Sequence, residues 1–141
     1  MNDNDDDIIN KVRHWVELAD EDLRVAKFTL KMKSNVPYRI IAFHSQQSAE
    51  KYIKALLVFH QIDFPYTHNI EKLLELTPKE YNLVSKLLKA GDLTDYAVAK
   101  RYPDFYQKLT KKTALETVVL AEKVKKTIYG VFRNLDINLH N

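Results

Sequence analysis

The sequence predicts an all-α fold, an up-and-down antiparallel bundle of four or five helices. Glycine and proline are scarce, with 2 and 4 residues in a chain of 141, and a shortage of helix breakers favours long helices. Apolar residues recur at three- and four-residue steps, which is the period of an amphipathic helix, and no segment shows the alternation of a strand. Helices joined by short connections pack as antiparallel neighbours, so the expected architecture is a bundle.

Three long helices are predicted at about 7–32, 37–61 and 110–135. The helical period of the first is kept by Val12, Val16, Ala19, Leu23, Ala26 and Leu30. The third keeps the same period through Leu115, Val118, Ala121, Val124, Ile128, Phe132 and Leu135. Pro37 suits the first turn of the second helix, because proline needs no hydrogen bond from its nitrogen there.

Shorter helices are predicted between the second and third long ones. Segment 61–69 is expected to be a loop, with Thr67 as the N-cap of a short helix. A fourth helix is expected to open at Pro78, and segment 90–95 should interrupt it before a further turn. Segment 100–105 is predicted as a second break, because a residue that precedes proline avoids the helical region.

The composition fits a single domain, 1–141, and excludes several kinds of site. A chain with 45% hydrophobic residues has enough apolar material for a core. The absence of cysteine excludes disulfides and thiolate chemistry. A net charge of +3 is mild for a dedicated nucleic-acid binder. The acidic N-terminus and the lack of a long apolar run predict a cytoplasmic protein.

The sequence predicts neither a metal ion nor a cofactor. Two glycines cannot form a glycine-rich phosphate loop. The five histidines are scattered along the chain and do not have the spacing of paired metal ligands. No serine lies on a recognisable strand-turn-helix elbow of the kind that hydrolases use.

A run of polar residues interrupts the apolar pattern of the second predicted helix. Segment 43–60 is FHSQQSAEKYIKALLVFH, and its central polar side chains are Gln46, Gln47, Glu50 and Lys54. We call these four side chains the polar stripe. Gln46, Glu50 and Lys54 fall on the flank of the apolar face, either at the border with solvent or on a second contact face. Glu50 and Lys54 are one turn apart, in the order that favours an ion pair.

Three interpretations of the polar stripe are open. The side chains could pair across a dimer interface, or they could bond locally within their own chain. Alternatively, they form the floor of a groove that faces His68 and Arg101. In that case Lys54 and Arg101 would offer cations to a phosphate, and the glutamine amides would suit the edge of a base.

Four segments together resemble the HEPN domain (higher eukaryotes and prokaryotes nucleotide-binding). They are WVELADEDLRVA (15–26), YRIIAFHSQQSAEKYIKALL (38–57), FPYTHNIEKLLEL (64–76) and DYAVAKRYPD (95–104). The second segment is the most specific, with the pattern F-H-x-Q-Q-x-x-E-K-x-x-K-A, whereas T-H and R-Y-P are weak alone. The resemblance covers nearly the whole chain, and its one noted departure, Ile70 in place of a frequent leucine, is trivial for packing.

This resemblance implies a helical bundle that often forms homodimers and often works beside a separate minimal nucleotidyltransferase. It also implies similarity to the C-terminal helical domain of kanamycin nucleotidyltransferase. Many such domains are thought to bind nucleotides, and a subset are ribonucleases. The residues expected to bind a ligand or form an interface are Gln46, Gln47, Glu50, Lys54, His68, Arg101 and Tyr102.

The ribonuclease subset carries R-x(4–6)-H at the start of a late helix. Arg39 with His44 and Arg133 with His140 fit that spacing, but neither pair has the expected place in the chain. The position that aligns with the motif is near Arg101, and the segment that follows, RYPDFYQKLTKK (101–112), contains no histidine. We therefore expect a non-catalytic module that binds a nucleotide or a partner. The alternatives are a ribonuclease of the toxin type, as in toxin-antitoxin pairs, and a purely structural helical dimer.

Overall fold

The computed structural model describes residues 3–99 and 109–140, which form six α-helices and contain no strand. The long helices are α1 (Asp3–Thr29), α2 (Tyr38–Phe59) and α6 (Lys111–Asn134). The short helices are α3 (Ile70–Leu76), α4 (Leu83–Lys86) and α5 (Thr94–Ala99), with 3-10 turns at Lys79–Tyr81 and Leu88–Leu93. The predicted all-α fold is therefore confirmed. The predicted break at 100–105 lies outside the described residues.

The helix α1 starts earlier and ends earlier than the apolar period predicts. Asp3, Asp5 and Asp6 lie inside its first turn, where the positive end of the helix dipole favours negative charge. Its buried residues are Val12, Val16, Ala19, Leu23 and Ala26, which belong to the predicted apolar stripe.

The helix α2 lies at the centre of the bundle, packed against α1, α3, α5 and α6. It runs antiparallel to α1, because Asp22 contacts His44 while Trp15 lies beside Lys54. The helix α6 also runs antiparallel to α1, since Lys27 pairs with Glu122 and Asp20 accepts a hydrogen bond from Tyr129. These contacts give the up-and-down arrangement that the sequence predicts.

The boundaries of the short helices differ from the sequence predictions. The N-cap of α3 is Asn69, whose side chain accepts a hydrogen bond from the Lys72 amide, and not Thr67. Thr67 instead accepts from the Asn69 amide and fixes the turn before the helix. The prediction was wrong because both residue types can accept a backbone hydrogen bond, and their positions differ by only two residues.

Segment 78–95 forms short helical pieces instead of one helix with an interruption. Asn82 separates the first 3-10 turn from α4 with a φ of 54°, a left-handed conformation that asparagine tolerates. The predicted interruption at 90–95 is itself helical, since it spans the end of the second 3-10 turn and the start of α5. Thr94 accepts a hydrogen bond from the Ile70 amide and so links α5 to α3.

The core divides into two clusters along the long helices. The larger cluster joins α1, α2, the short helices and the C-terminal half of α6, with Tyr52, Leu56 and Phe132 among its fully buried side chains. The smaller cluster includes Leu23 and Ala121, where the C-terminal half of α1 meets the start of α6. None of the described helices is both long enough and apolar enough to cross a membrane.

Candidate functional site

A buried carboxylate organises the polar stripe of α2. Glu50 has only 2% of its surface exposed. Its Oε2 atom lies 3.2 Å from Nζ of Lys54, one turn later. Its Oε1 atom lies 2.8 Å from Nδ1 of His68, and Gln46 donates to the same oxygen at 3.3 Å. The carboxylate therefore joins α2 to the segment that precedes α3.

The two glutamines extend this network along α2. Gln46 is fully buried and donates a second hydrogen bond from Nε2 to the carbonyl oxygen of His68, at 3.1 Å. Gln47 donates to Oε1 of Gln46 at 2.6 Å. We call Gln46, Gln47, Glu50, Lys54 and His68 the Glu50 network. Its hydrogen bonds to His68 hold the 61–69 loop against α2.

Aromatic side chains cover the Lys54 end of the Glu50 network. Nζ of Lys54 lies 5.7 Å from the ring centre of Trp15 and 5.4 Å from that of Phe64, distances at which a cation is attracted to an aromatic face. Tyr66 contacts His68 edge to face, at 5.4 Å between ring centres, yet is 86% exposed. The aromatic residues of the 61–69 loop are functional candidates that the sequence reasoning missed, although the FPYTHN segment contains them.

The structure brings five of the seven predicted site residues into one cluster, the Glu50 network. Arg101 and Tyr102 lie outside the described residues. The helix that precedes them, α5, packs against α2.

A second buried polar cluster lies between α1, α2 and α6. The carboxylate of Asp20 accepts hydrogen bonds from the hydroxyls of Tyr52 and Tyr129, the latter at 2.8 Å, and lies 3.4 Å from Nζ of Lys125. Burial and the neighbouring carboxylate raise the pKa of both tyrosines above their ordinary value. The phenols therefore stay protonated and act as donors. The sequence reasoning did not single out this cluster.

The two Arg–His pairs that fit the ribonuclease spacing have separate surroundings. His44 lies 2.8 Å from a carboxylate oxygen of Asp22 on α1, whereas Arg39 lines a cavity near the start of α2. Arg133 is exposed near the end of α6, and His140 lies 3.2 Å from the Tyr129 hydroxyl. Each histidine thus contacts a group other than the arginine with which its spacing pairs it.

Asp22 gives the fold a defined response to acid. Burial raises the pKa of its carboxyl, but hydrogen bonds from His44 and Lys51 outweigh burial and bring the pKa below its ordinary value of 3.8. A lowered folded-state pKa adds stability above the unfolded value, and this stability is lost as the pH falls through the folded value. The free energy of unfolding of Asp22→Asn should therefore fall less steeply than that of the wild type as the pH drops from about 4 to about 2.

Urea unfolding at a series of pH values measures this effect. At neutral pH the Asp22→Asn variant should be less stable by about 1 kcal/mol, since its two hydrogen-bond partners remain partly exposed. Asp63→Asn changes an exposed carboxylate. Its free energy of unfolding should depend on pH in acid as that of the wild type does. Equal slopes for Asp22→Asn and the wild type would contradict the expectation.

Among residues 3–99 and 109–140, no group of three or more histidine, aspartate or glutamate side chains is arranged to hold a metal ion.

This chain resembles known proteins in both sequence and fold. A family model described as the HEPN domain matches residues 12–131. A protein of Methanocaldococcus jannaschii named "Putative toxin MJ1304" is 32% identical, in an alignment that covers 85% of this chain and 87% of that protein.

Two solved structures share the fold. TT1696 from Thermus thermophilus superposes with a TM-score of 0.75 at 28% identity, over 86% of this chain and 98% of its own. ST0689, described as an archaeal HEPN homologue, gives a TM-score of 0.67 at 30% identity, over 84% of this chain and 95% of its own. Together with the family match over most of the sequence, these similarities show that the chain belongs to the HEPN domain family.

Proposed function

We propose that the protein is a non-catalytic HEPN module that binds a nucleotide through the 61–69 loop and works beside a nucleotidyltransferase. The observation that carries this proposal is the Glu50 network, which holds His68, the residue whose ring contacts the exposed ring of Tyr66. The partner and the homodimeric state are expected from the family resemblance.

The Glu50 network is an expensive way to hold a loop. Placing a carboxylate and an ammonium group inside a protein costs several kcal/mol per ion, and well-packed apolar residues are often at least as stable. Glu50 and Lys54 are nonetheless 2% and 7% exposed. In some proteins a buried polar or ionic pair is kept because it specifies one geometry at a cost in stability. The network fixes both the ring and the carbonyl oxygen of His68.

Tyr66 supplies a surface on which a base can stack. A base stacks on an aromatic ring with little dependence on its identity, because every base has a π-face. His68 lies against the edge of this ring and has part of its side chain exposed. Arg101 and Tyr102 are the residues that the resemblance adds; in this proposal Arg101 provides the cation for the phosphates.

Calorimetric titration of the purified full chain with ATP and GTP, in the presence of Mg²⁺, tests this assignment. Tyr66→Ala should weaken binding on the order of tenfold, the effect of losing one stacking contact. Leu88→Ala is the control, because Leu88 is a large apolar side chain that is 67% exposed and lies outside the 61–69 loop. Both side chains are exposed, so the melting temperatures should stay close to that of the wild type.

Two outcomes would overturn the proposal. One is the absence of binding heat with either nucleotide; the other is equal weakening by Tyr66→Ala and Leu88→Ala. Arg101→Ala should weaken triphosphate binding more than nucleoside binding, since a cation contacts the phosphates.

A toxin is the second candidate, because a relative at 32% identity carries that word in its name. A ribonuclease needs a histidine for proton transfer and an arginine for the phosphate. Incubating the protein with RNA and running the products on a gel separates the two functions. RNA cleavage that is lost in His44→Ala or His140→Ala would show that the protein is a ribonuclease and not a non-catalytic binding module.

A further inference from the structure

A groove between α1 and α6 concentrates positive charge. Its volume is about 500 Å³, and its lining includes the cationic side chains of Arg24, Lys27, Lys31 and Lys125. Among the described residues of its lining, Asp20 supplies the one carboxylate. Glu122, which lies outside this lining, pairs with Lys27, so the four cations face two carboxylates and leave an excess of two. The groove is therefore more basic than a net charge of +3 over the whole chain suggests.

The acidic side chains at this groove already have partners. Asp20 accepts hydrogen bonds from two tyrosines in the core. Glu122, at the edge of the groove, pairs with Lys27 at 2.7 Å. Arg24 and Lys31 are exposed and form no ion pair with the described part of the chain. These two cations are available to an anion in solution.

The arrangement of the cations suits an anion with repeated charges. Arg24, Lys27 and Lys31 follow one another at three- and four-residue steps, so they form a row with about 5.4 Å between helical turns. Phe28 lies in the same lining and is 73% exposed. Cations in a row beside an exposed ring are the two elements with which proteins hold single strands, since cations follow the backbone and rings stack on bases.

We propose that the α1–α6 groove binds the phosphodiester backbone of single-stranded RNA, with one base stacked on Phe28. This site lies apart from the Glu50 network and does not depend on the nucleotide proposal. The concave shape favours a strand over a flat anionic membrane. The exposed ring favours a nucleic acid over an acidic peptide, because carboxylate side chains have no π-face to stack.

Fluorescence anisotropy with a labelled RNA of about 12 nucleotides tests this site in the full chain. The double variant Arg24→Glu, Lys31→Glu should bind at least about tenfold more weakly. The slope of log affinity against log salt concentration should also become shallower by about 1.4, because two phosphate contacts on a single strand are lost. Lys86→Glu with Lys89→Glu is the control, since it reverses two exposed charges away from the groove. The control should retain most of the affinity.

Phe28→Ala separates stacking from charge. It should weaken RNA binding on the order of tenfold while the salt slope stays the same, whereas Tyr66→Ala should have little effect. A loss of affinity in the Lys86 and Lys89 control as large as in the groove variant would overturn the proposal. So would equal affinity for polyglutamate or phosphatidylserine vesicles of matched charge, which would assign the groove to another class of anion.

Discussion

Replacing Glu50 by alanine should destabilise the protein by about 3–5 kcal/mol, because it leaves the buried ammonium group of Lys54 without its counter-ion. The substitution also removes the acceptor for Gln46 and the partner of His68. A loss of this size should lower the melting temperature by about 10 °C or more. Urea unfolding followed by circular dichroism gives the free energy, and a loss below about 1 kcal/mol would contradict the expectation.

A double variant distinguishes a broken ion pair from a simple cavity. Glu50→Leu with Lys54→Met replaces both charges by apolar side chains of similar volume. It should be more stable than Glu50→Ala, since removing both partners avoids an uncompensated buried charge. If loop anchoring by Glu50 serves nucleotide binding, the double variant should bind ATP weakly although it is folded. Unchanged ATP affinity in the folded double variant would show that nucleotide binding does not need the Glu50 network.

Replacing Asp20 by alanine should cost about 3 kcal/mol of unfolding free energy, because the buried hydroxyl of Tyr52 loses a charged acceptor and Tyr129 loses another. Tyr52 is fully buried, and within the fold its hydroxyl donates to Asp20. The measurement is again urea unfolding, with Tyr129→Phe as a milder comparison at about 1 kcal/mol. Equal losses in the two variants would show that the Tyr52 contact adds little.

The titration of the tyrosines gives an independent test of the Asp20 cluster. Burial and the Asp20 carboxylate raise the pKa of Tyr129, and removing the carboxylate takes away the second cause. Spectroscopic titration of Asp20→Ala should therefore show a tyrosine that ionises at lower pH than in the wild type. An unchanged titration would mean that burial alone accounts for the raised pKa.

The helical period of the sequence predicted the long helices and most of their buried faces. It was wrong at Leu115 and Leu135, which were assigned to the stripe of the third helix and are exposed. In α1 the buried residues Val12, Val16 and Leu23 lie on the predicted stripe, because a helix returns to the same face every three or four residues. The same reasoning placed the ends of helices less well. Helix ends depend on which nearby side chain caps the free amides, and Thr67 and Asn69 are both able to do so.

The composition of the polar stripe was also visible in the sequence, but its surroundings were not. Glu50 and Lys54 are one turn apart, so their ion pair follows from helix geometry. The approach of His68 to Glu50 depends on how the 61–69 loop folds back over α2. No local rule predicts that path, which left the dimer, ligand and local interpretations open.

The sequence by itself determined the all-α fold, the family and the long amphipathic helices, because these follow from local periodicity and motif spacing. Only the tertiary structure decided which polar groups meet. Asp20 and Tyr129 are 109 residues apart, and the groove cations come from the first and last long helices. Such contacts depend on the packing of α1 against α6, and the periodicity of a single helix does not specify that packing.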